Sequence, residues 1–172
     1  MIASARAQIH TGAALNFHVH LNDKGEEEEL RTLVLNSIQD EGVDLSRVIM
    51  SHFEPDLRSV DYHDRIARRG VHIEYDLFGM AALKGGEIPR YEEDAAALKE
   101  LIERGHLNRI LISQDICFKD LLVRNGGWGY AHILNHVVPR FRANGITQEE
   151  IEAMLIGNPR RVFPIIRSRD GR

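Results

Sequence analysis

One cysteine, Cys117, is all the thiol in these 172 residues, which excludes an internal disulfide and suits a reducing compartment. Its place beside Phe118 predicts a small buried hydrophobe rather than a nucleophile. No apolar stretch reaches 18 residues, and the opening run from Met1 to Gln8 lacks a long apolar core. Neither a membrane span nor an export signal is therefore expected, and a cytoplasmic location is the default. A long basic block is missing too: 22 Lys and Arg against 26 Asp and Glu leave a net charge of −4. That balance argues against nucleic acid or an anionic membrane as partner and for a small-molecule substrate. The chain does have the apolar side chains for one core, 43% of its residues, so 1–172 is expected to form one domain.

Those apolar side chains come in short runs that stop on a residue with chemistry. Leu15-Asn16-Phe17 runs into His18, Val48 to Ser51 into His52, Val71 to Tyr75 into Asp76, and Arg109 to Ile112, through Ser113 and Gln114, into Asp115. Runs of this length, rich in β-branched residues and leucine, suit strands covered on both faces. Taken singly, each end residue has a structural reading: Asp115 caps the next loop, and a lone histidine sits satisfied in a core. Taken together, His18, His52 and Asp115 offer two imidazole nitrogens and a carboxylate, which suit zinc and related divalent ions. Parallel strands would bring these ends to one edge of a sheet.

Helical patterns alternate with the strands. Residues 2 to 10 read as a helix stopped at Thr11-Gly12. A second helix over about 25–40 would bury Leu30, Leu33, Val34 and Ile38, with the acidic run Glu26 to Glu29 as its solvated first turn. A third, capped by Asp56, would run over about 57–69. A long loop holding Lys84-Gly85-Gly86 and Pro89 is a candidate pocket lip. A fourth helix over about 91–104 would bury Ala97, Leu98, Leu101 and Ile102. After Asp115 comes the glycine-rich stretch Asn125 to Tyr130, where Trp128 either lines a substrate pocket or packs at a helix start. A stripe of Ile133, Leu134, Val137, Val138 and Phe141 follows, with Pro139 expected to kink it. Thr147-Gln148-Glu149-Glu150 is a capping box, and Asn158-Pro159 starts a short tail. The order βα, four times over, predicts an α/β fold with a parallel sheet and outer helices. Periodicity alone leaves an open sheet and half of a barrel equally possible.

These residues resemble the C-terminal half of the phosphotriesterase family of the amidohydrolase superfamily. The resemblance rests on Asn16-Phe17-His18, on Gly42-Val43-Asp44 with Arg47 to His52, and on Ile73 to Asp76. It continues through Ile112-Ser113-Gln114-Asp115-Ile116, Gly126-Gly127-Trp128-Gly129-Tyr130-Ala131-His132 and Asn158-Pro159-Arg160-Arg161. It implies a (β/α)8 TIM barrel holding two divalent metals of the zinc type, and a metal-bound hydroxide that attacks an ester, lactone or phosphotriester. It further implies that His18, His52 and Asp115 are metal ligands and that Asp115 is catalytic, accepting the hydroxide's proton. Tyr75, Asp76 and Trp128 would then face the substrate. His20 is left out of the ligand set.

The resemblance also implies what is missing. Such a barrel takes about 250 residues, so this chain holds about half of one, four strands of the eight. The paired histidines of the family's first strand have no counterpart here. Its bridging lysine has none either, because Lys24, Lys84, Lys99 and Lys119 all read as loop or helix-surface residues. Three functional classes follow: a weakly active or inactive hydrolase, a metal-binding remnant, and a half-barrel completed by a second copy or a separate N-terminal half. In the last case Leu15, Phe17, Ile49, Ile73 or Tyr75, and Ile112 would be the apolar side chains left without partners.

Overall fold

A computed structural model describes residues 1–19, 27–53, 60–80 and 91–163. The expected Asp56 cap, the Lys84 to Pro89 loop, His20 and Lys24 lie outside the described residues. Helix α1 (Ile2–Thr11) leads to strand β1 (Leu15–Phe17), α2 (Glu27–Asp40) to β2 (Val48–Met50), and α3 (Val60–Ala67) to β3 (His72–Tyr75). Helix α4 (Tyr91–Glu103) leads to β4 (Ile110–Ile112), and α5 (Val138–Ala143), α6 (Gln148–Glu152) and α7 (Asn158–Val162) follow. All neighbouring strands pair in parallel in the order β1-β2-β3-β4.

Local chemistry sets the boundaries. Gly105 closes α4 at φ 91°, a left-handed conformation open to glycine at little cost, and turns the chain into the approach to β4. Thr147 and Glu150 form the capping box of α6 from both sides. Pro139 has no N–H to give to the preceding turn. The helix accommodates it by widening into a π-turn over Ile133–Val137, closed by the Val138 N–H on the Ile133 carbonyl.

The strand faces divide differently from the sequence expectation. Leu15, Phe17, Val48, Met50, Ile73, Tyr75, Ile110 and Ile112 pack in one core with Leu35, Ile38, Ile66, Leu98 and Leu101 of the helices. Of the side chains expected to lack partners, only Ile49 lies on the other face, with Leu111, and there Val162 of α7 covers both. Asn158, opening that helix, donates to the carbonyls of Leu107 and Ile110 and pins it beneath β4. The rest of this face is polar. Asn16 donates to Glu74 at 3.2 Å, and Ser51 reaches both Asn16 at 2.5 Å and Glu74 at 3.1 Å. Burial, then the charge of Asp76, raises the Glu74 carboxyl above its ordinary range, while hydrogen bonds from Asn16, Ser51 and Ser113 pull it back.

Three further expectations are corrected. Leu33 is 60% exposed, and the buried stripe of α2 is Arg31, Leu35 and Ile38. Glu28, expected to be solvated only, accepts a two-pronged pair of bonds from Arg65. Cys117 is exposed and not buried, because the chain leaves the sheet after Ile112 and the segment from 117 to 120 lies open.

Candidate metal centre

At the C-terminal edge of the sheet, His52 is the most constrained side chain. Strand alternation would turn it to the helix side with Met50, but its backbone adopts φ 63° and its ring points the other way. Its ring Nδ1 lies 2.8 Å from Asp76 Oδ1, which also accepts from the His52 backbone N–H at 3.1 Å. Asp76 Oδ1, already the acceptor of the backbone N–H, also faces Nδ1 as an acceptor, so Nδ1 carries the proton and Nε2 faces outward. That outward nitrogen lies 2.5 Å from Nδ1 of His18. The Asp76 hydrogen bond is the main reason the His52 pKa is raised. Burial opposes it, the charges of Asp76 and Asp115 add to it, and Arg31 counters it.

Asp115 has the same backbone peculiarity, φ 46°, and no other described non-glycine residue shares it with His52. Left-handed backbone at ordinary residues costs about 1–3 kcal/mol and persists where the surroundings enforce it, most often at functional sites. For His52 the enforcer is Arg31. Its buried guanidinium donates to the carbonyls of Val19 at 2.8 Å, Ser51 at 2.6 Å and His52 at 3.1 Å, and lies 4.2 Å over the Phe53 ring. The sequence offered no pointer to this residue, because an arginine behind a run of glutamates reads as surface.

The edge therefore brings His18, His52 and Asp76 into one hydrogen-bonded chain, with Asp115 near enough for its charge to act on His52. It does not bring the expected three ligands onto one ion, and among the described residues no three His, Cys, Asp or Glu side chains form a metal-holding group. The physical reason is spacing: two nitrogens on one tetrahedral zinc ion stand about 3.3 Å apart, given bonds of about 2.0–2.1 Å, whereas here they are 2.5 Å apart and bond to each other. The donor chemistry fits a divalent cation, and the exposed His18 is the ring with room to give way.

The remaining site candidates separate. Asp76 is buried and orients His52 instead of walling a pocket. Tyr75 is fully buried in the helix-side core, its hydroxyl 2.6 Å from His63 Nδ1, and is not brought together with His18 and His52. Trp128 is half-buried and stacks on His132, ring centroids 4.4 Å apart. His132 in turn bonds the Tyr91 hydroxyl, and burial pushes its pKa down to about 4. The glycine-rich stretch is needed for close approach: a Cβ on Gly127 would sit 2.2 Å from the Leu121 carbonyl carbon. Gln114 ties this loop back by donating to the carbonyls of Gly129 and Tyr130.

A family profile for phosphotriesterases matches residues 1–163. The chain belongs to the phosphotriesterase family. Over 97% of its length it is 35% identical to the N-acetyltaurine hydrolase of Dictyostelium discoideum, of which it covers 45%. Among solved structures it is similar to a resiniferatoxin-binding protein from Rhodobacter sphaeroides, with TM-score 0.80 and 37% identity over 93% of this chain and 44% of that one. It is also similar to the phosphotriesterase homology protein of Escherichia coli, which was solved with phosphate in its active site. There the TM-score is 0.75 and the identity 34%, over 92% of this chain and 50% of that one. This phosphotriesterase-family chain spans about half the length of the curated relatives it matches. Its four parallel strands and outer helices are half of a TIM barrel of that family. Among the described residues no helix is long and apolar enough to cross a membrane.

Proposed function

We propose that this chain carries half of a metallohydrolase site that cleaves an ester, lactone, phosphotriester or N-acyl amide in a small molecule. The observation that carries the reading is the His52 ring, aimed by Asp76 and held on a strained backbone with its Nε2 toward His18. His18, His52 and Asp115 would hold the cation, zinc being the first choice for two imidazoles and a carboxylate. When bound, a divalent cation supplies Lewis acidity and brings the pKa of its water to about 7. The protein's own part is positional. Asp76 keeps the His52 proton on Nδ1, Arg31 fixes the ends of the first two strands, and Asp115 takes up the proton of the attacking water. Trp128 supplies an apolar wall for the substrate. The amide joins the substrate classes because of the N-acetyltaurine hydrolase relatives. We place this chemistry in the cytoplasm.

Half of the family's ligand set is absent from this chain, so weak, substoichiometric metal binding and little or no turnover are expected from it alone. The second reading, a half-barrel that acts by assembly, draws on the outer edges of β1 and β4, which pair with no other described strand. Its partner would be a second copy or a separate N-terminal half.

The test is metal analysis with parallel hydrolysis assays on a lactone, an aryl phosphotriester and N-acetyltaurine, using wild type, His52→Ala and Asp115→Asn. Less than one ion per chain, lost in both variants, is the expected outcome. Metal content indifferent to both substitutions would end the proposal, and sedimentation across a concentration series decides the assembly reading.

A further inference from the structure

A second cluster lies at the opposite, N-terminal end of the sheet. His72 opens β3 on the face shared with Ile49. It is 2% exposed, and its Nδ1 has no hydrogen-bond partner. It lines a cavity of about 430 Å³ together with Ser46, Asn108, Arg109 and Arg161. The turn before β2 supplies Ser46, the turn before β4 supplies Asn108 and Arg109, and α7 supplies Arg161. Arg161 donates to Asn108 at 3.0 Å and also to Asn158, which accounts for its position. Neither arginine is paired with a carboxylate among the described residues.

Two guanidinium groups at one cavity with no counter-charge among the described residues, beside a buried nitrogen without a partner there, form an arrangement that an anion completes. Guanidinium favours planar, two-pronged contact with oxyanions, and an unsatisfied buried polar group gains most from a partner. Burial first, and then the charges of Arg109 and Arg161, push the His72 pKa down to about 4, so its imidazole is neutral near pH 7 and the positive charge is that of the arginines.

We propose that this cavity is an anion site, distinct from the histidine pair, which takes a phosphate-type oxyanion between Arg109 and Arg161 with the His72 Nδ1–H donating from beneath. The volume falls within the usual 300–1,000 Å³ of small-molecule pockets, so a small phosphomonoester fits the space better than the bare ion.

The test is calorimetric titration of chelator-treated protein, which silences the candidate metal centre, with inorganic phosphate and with glycerol 3-phosphate in parallel. Saturable binding is expected, at least tenfold weaker in Arg109→Gln and in Arg161→Lys and unchanged in Arg140→Gln on distant α5. The His72 ring ¹⁵N signals should shift as phosphate is added. Tighter binding of the ester would identify an organic ligand, and equal binding the free ion; either supports the site. Absence of saturable binding, affinity unaffected by Arg109→Gln, or a silent His72 would each overturn it.

Discussion

Replacing Arg31 by methionine tests whether a buried guanidinium holds the strand ends that carry the candidate centre. The side chain is 1% exposed and makes four hydrogen bonds, three to strand-end carbonyls and one of 2.5 Å to the Tyr62 hydroxyl. Bonds to a charged group contribute about 1.5–3 kcal/mol each. The gross sum overstates the effect, because burying the charge costs several kcal/mol and Nε has no partner. Methionine matches much of the length and relieves that cost, but it leaves the carbonyls of Val19, Ser51 and His52 without this donor. The net loss expected is about 3–5 kcal/mol, because three carbonyls each lose a partner at about 1–3 kcal/mol and the relieved burial cost offsets part of that sum. With a urea slope of about 1–3 kcal/mol per M, the unfolding midpoint should fall by about 2 M. Arg31→Lys keeps the charge and loses the fork, so it should fall in between. The His52 ring resonances should also move in Arg31→Lys, since lysine keeps the charge but cannot hold the His52 carbonyl together with those of Val19 and Ser51. A loss under 1 kcal/mol in Arg31→Met with unmoved His52 signals in Arg31→Lys would refute the reasoning.

Stability should depend on pH in two opposed ways in metal-free protein. His72 and His132 fold with pKa values near 4, whereas the unfolded chain titrates near 6.5. Stability should therefore fall as pH drops from 6.5 towards 4, by roughly 3 kcal/mol per histidine at 1.36 kcal/mol per unit. His72→Gln and His132→Gln should each shrink that acid limb. His52 acts in reverse: its folded pKa is raised, so its contribution is whole below about 6.5 and is lost as pH rises through the folded value, a limb Asp76→Asn should flatten. Urea midpoints level from pH 4 to 8 would contradict both. Gly127→Ala should displace the loop and cost about 1–3 kcal/mol, as overpacking does, with Trp128, the chain's one tryptophan, reporting the shift in its emission. Unchanged emission and stability would sink that account.

The sequence shows the order of elements clearly, because each strand is a short apolar run between a helix stop and a chemically distinct end. Ends at His18, His52, Asp76 and Asp115 were legible for the same reason. The direction of the strand faces was not. Ile49 and Leu111 are as apolar as Val48 and Ile112, so three- and four-residue strands give no alternation to read, and nothing in the sequence shows that Tyr75 turns to the helix side. The roles of Arg31 and Glu74 were hidden because charged residues are presumed exposed until their partners, distant in sequence, are known. Cys117 misled because its neighbour Phe118, itself 56% exposed, suggested burial.

The left-handed backbone at His52 and Asp115 sets durability against chemistry. Glycine adopts that conformation at little steric cost, so at these two positions the backbone favours a residue other than the one the proposed site calls for. A randomised library selected only for heat or protease resistance should drift toward glycine at 52 and 115 and toward nothing comparable at neighbouring strand positions. Such a selection would test the proposed site positions without any substrate being known.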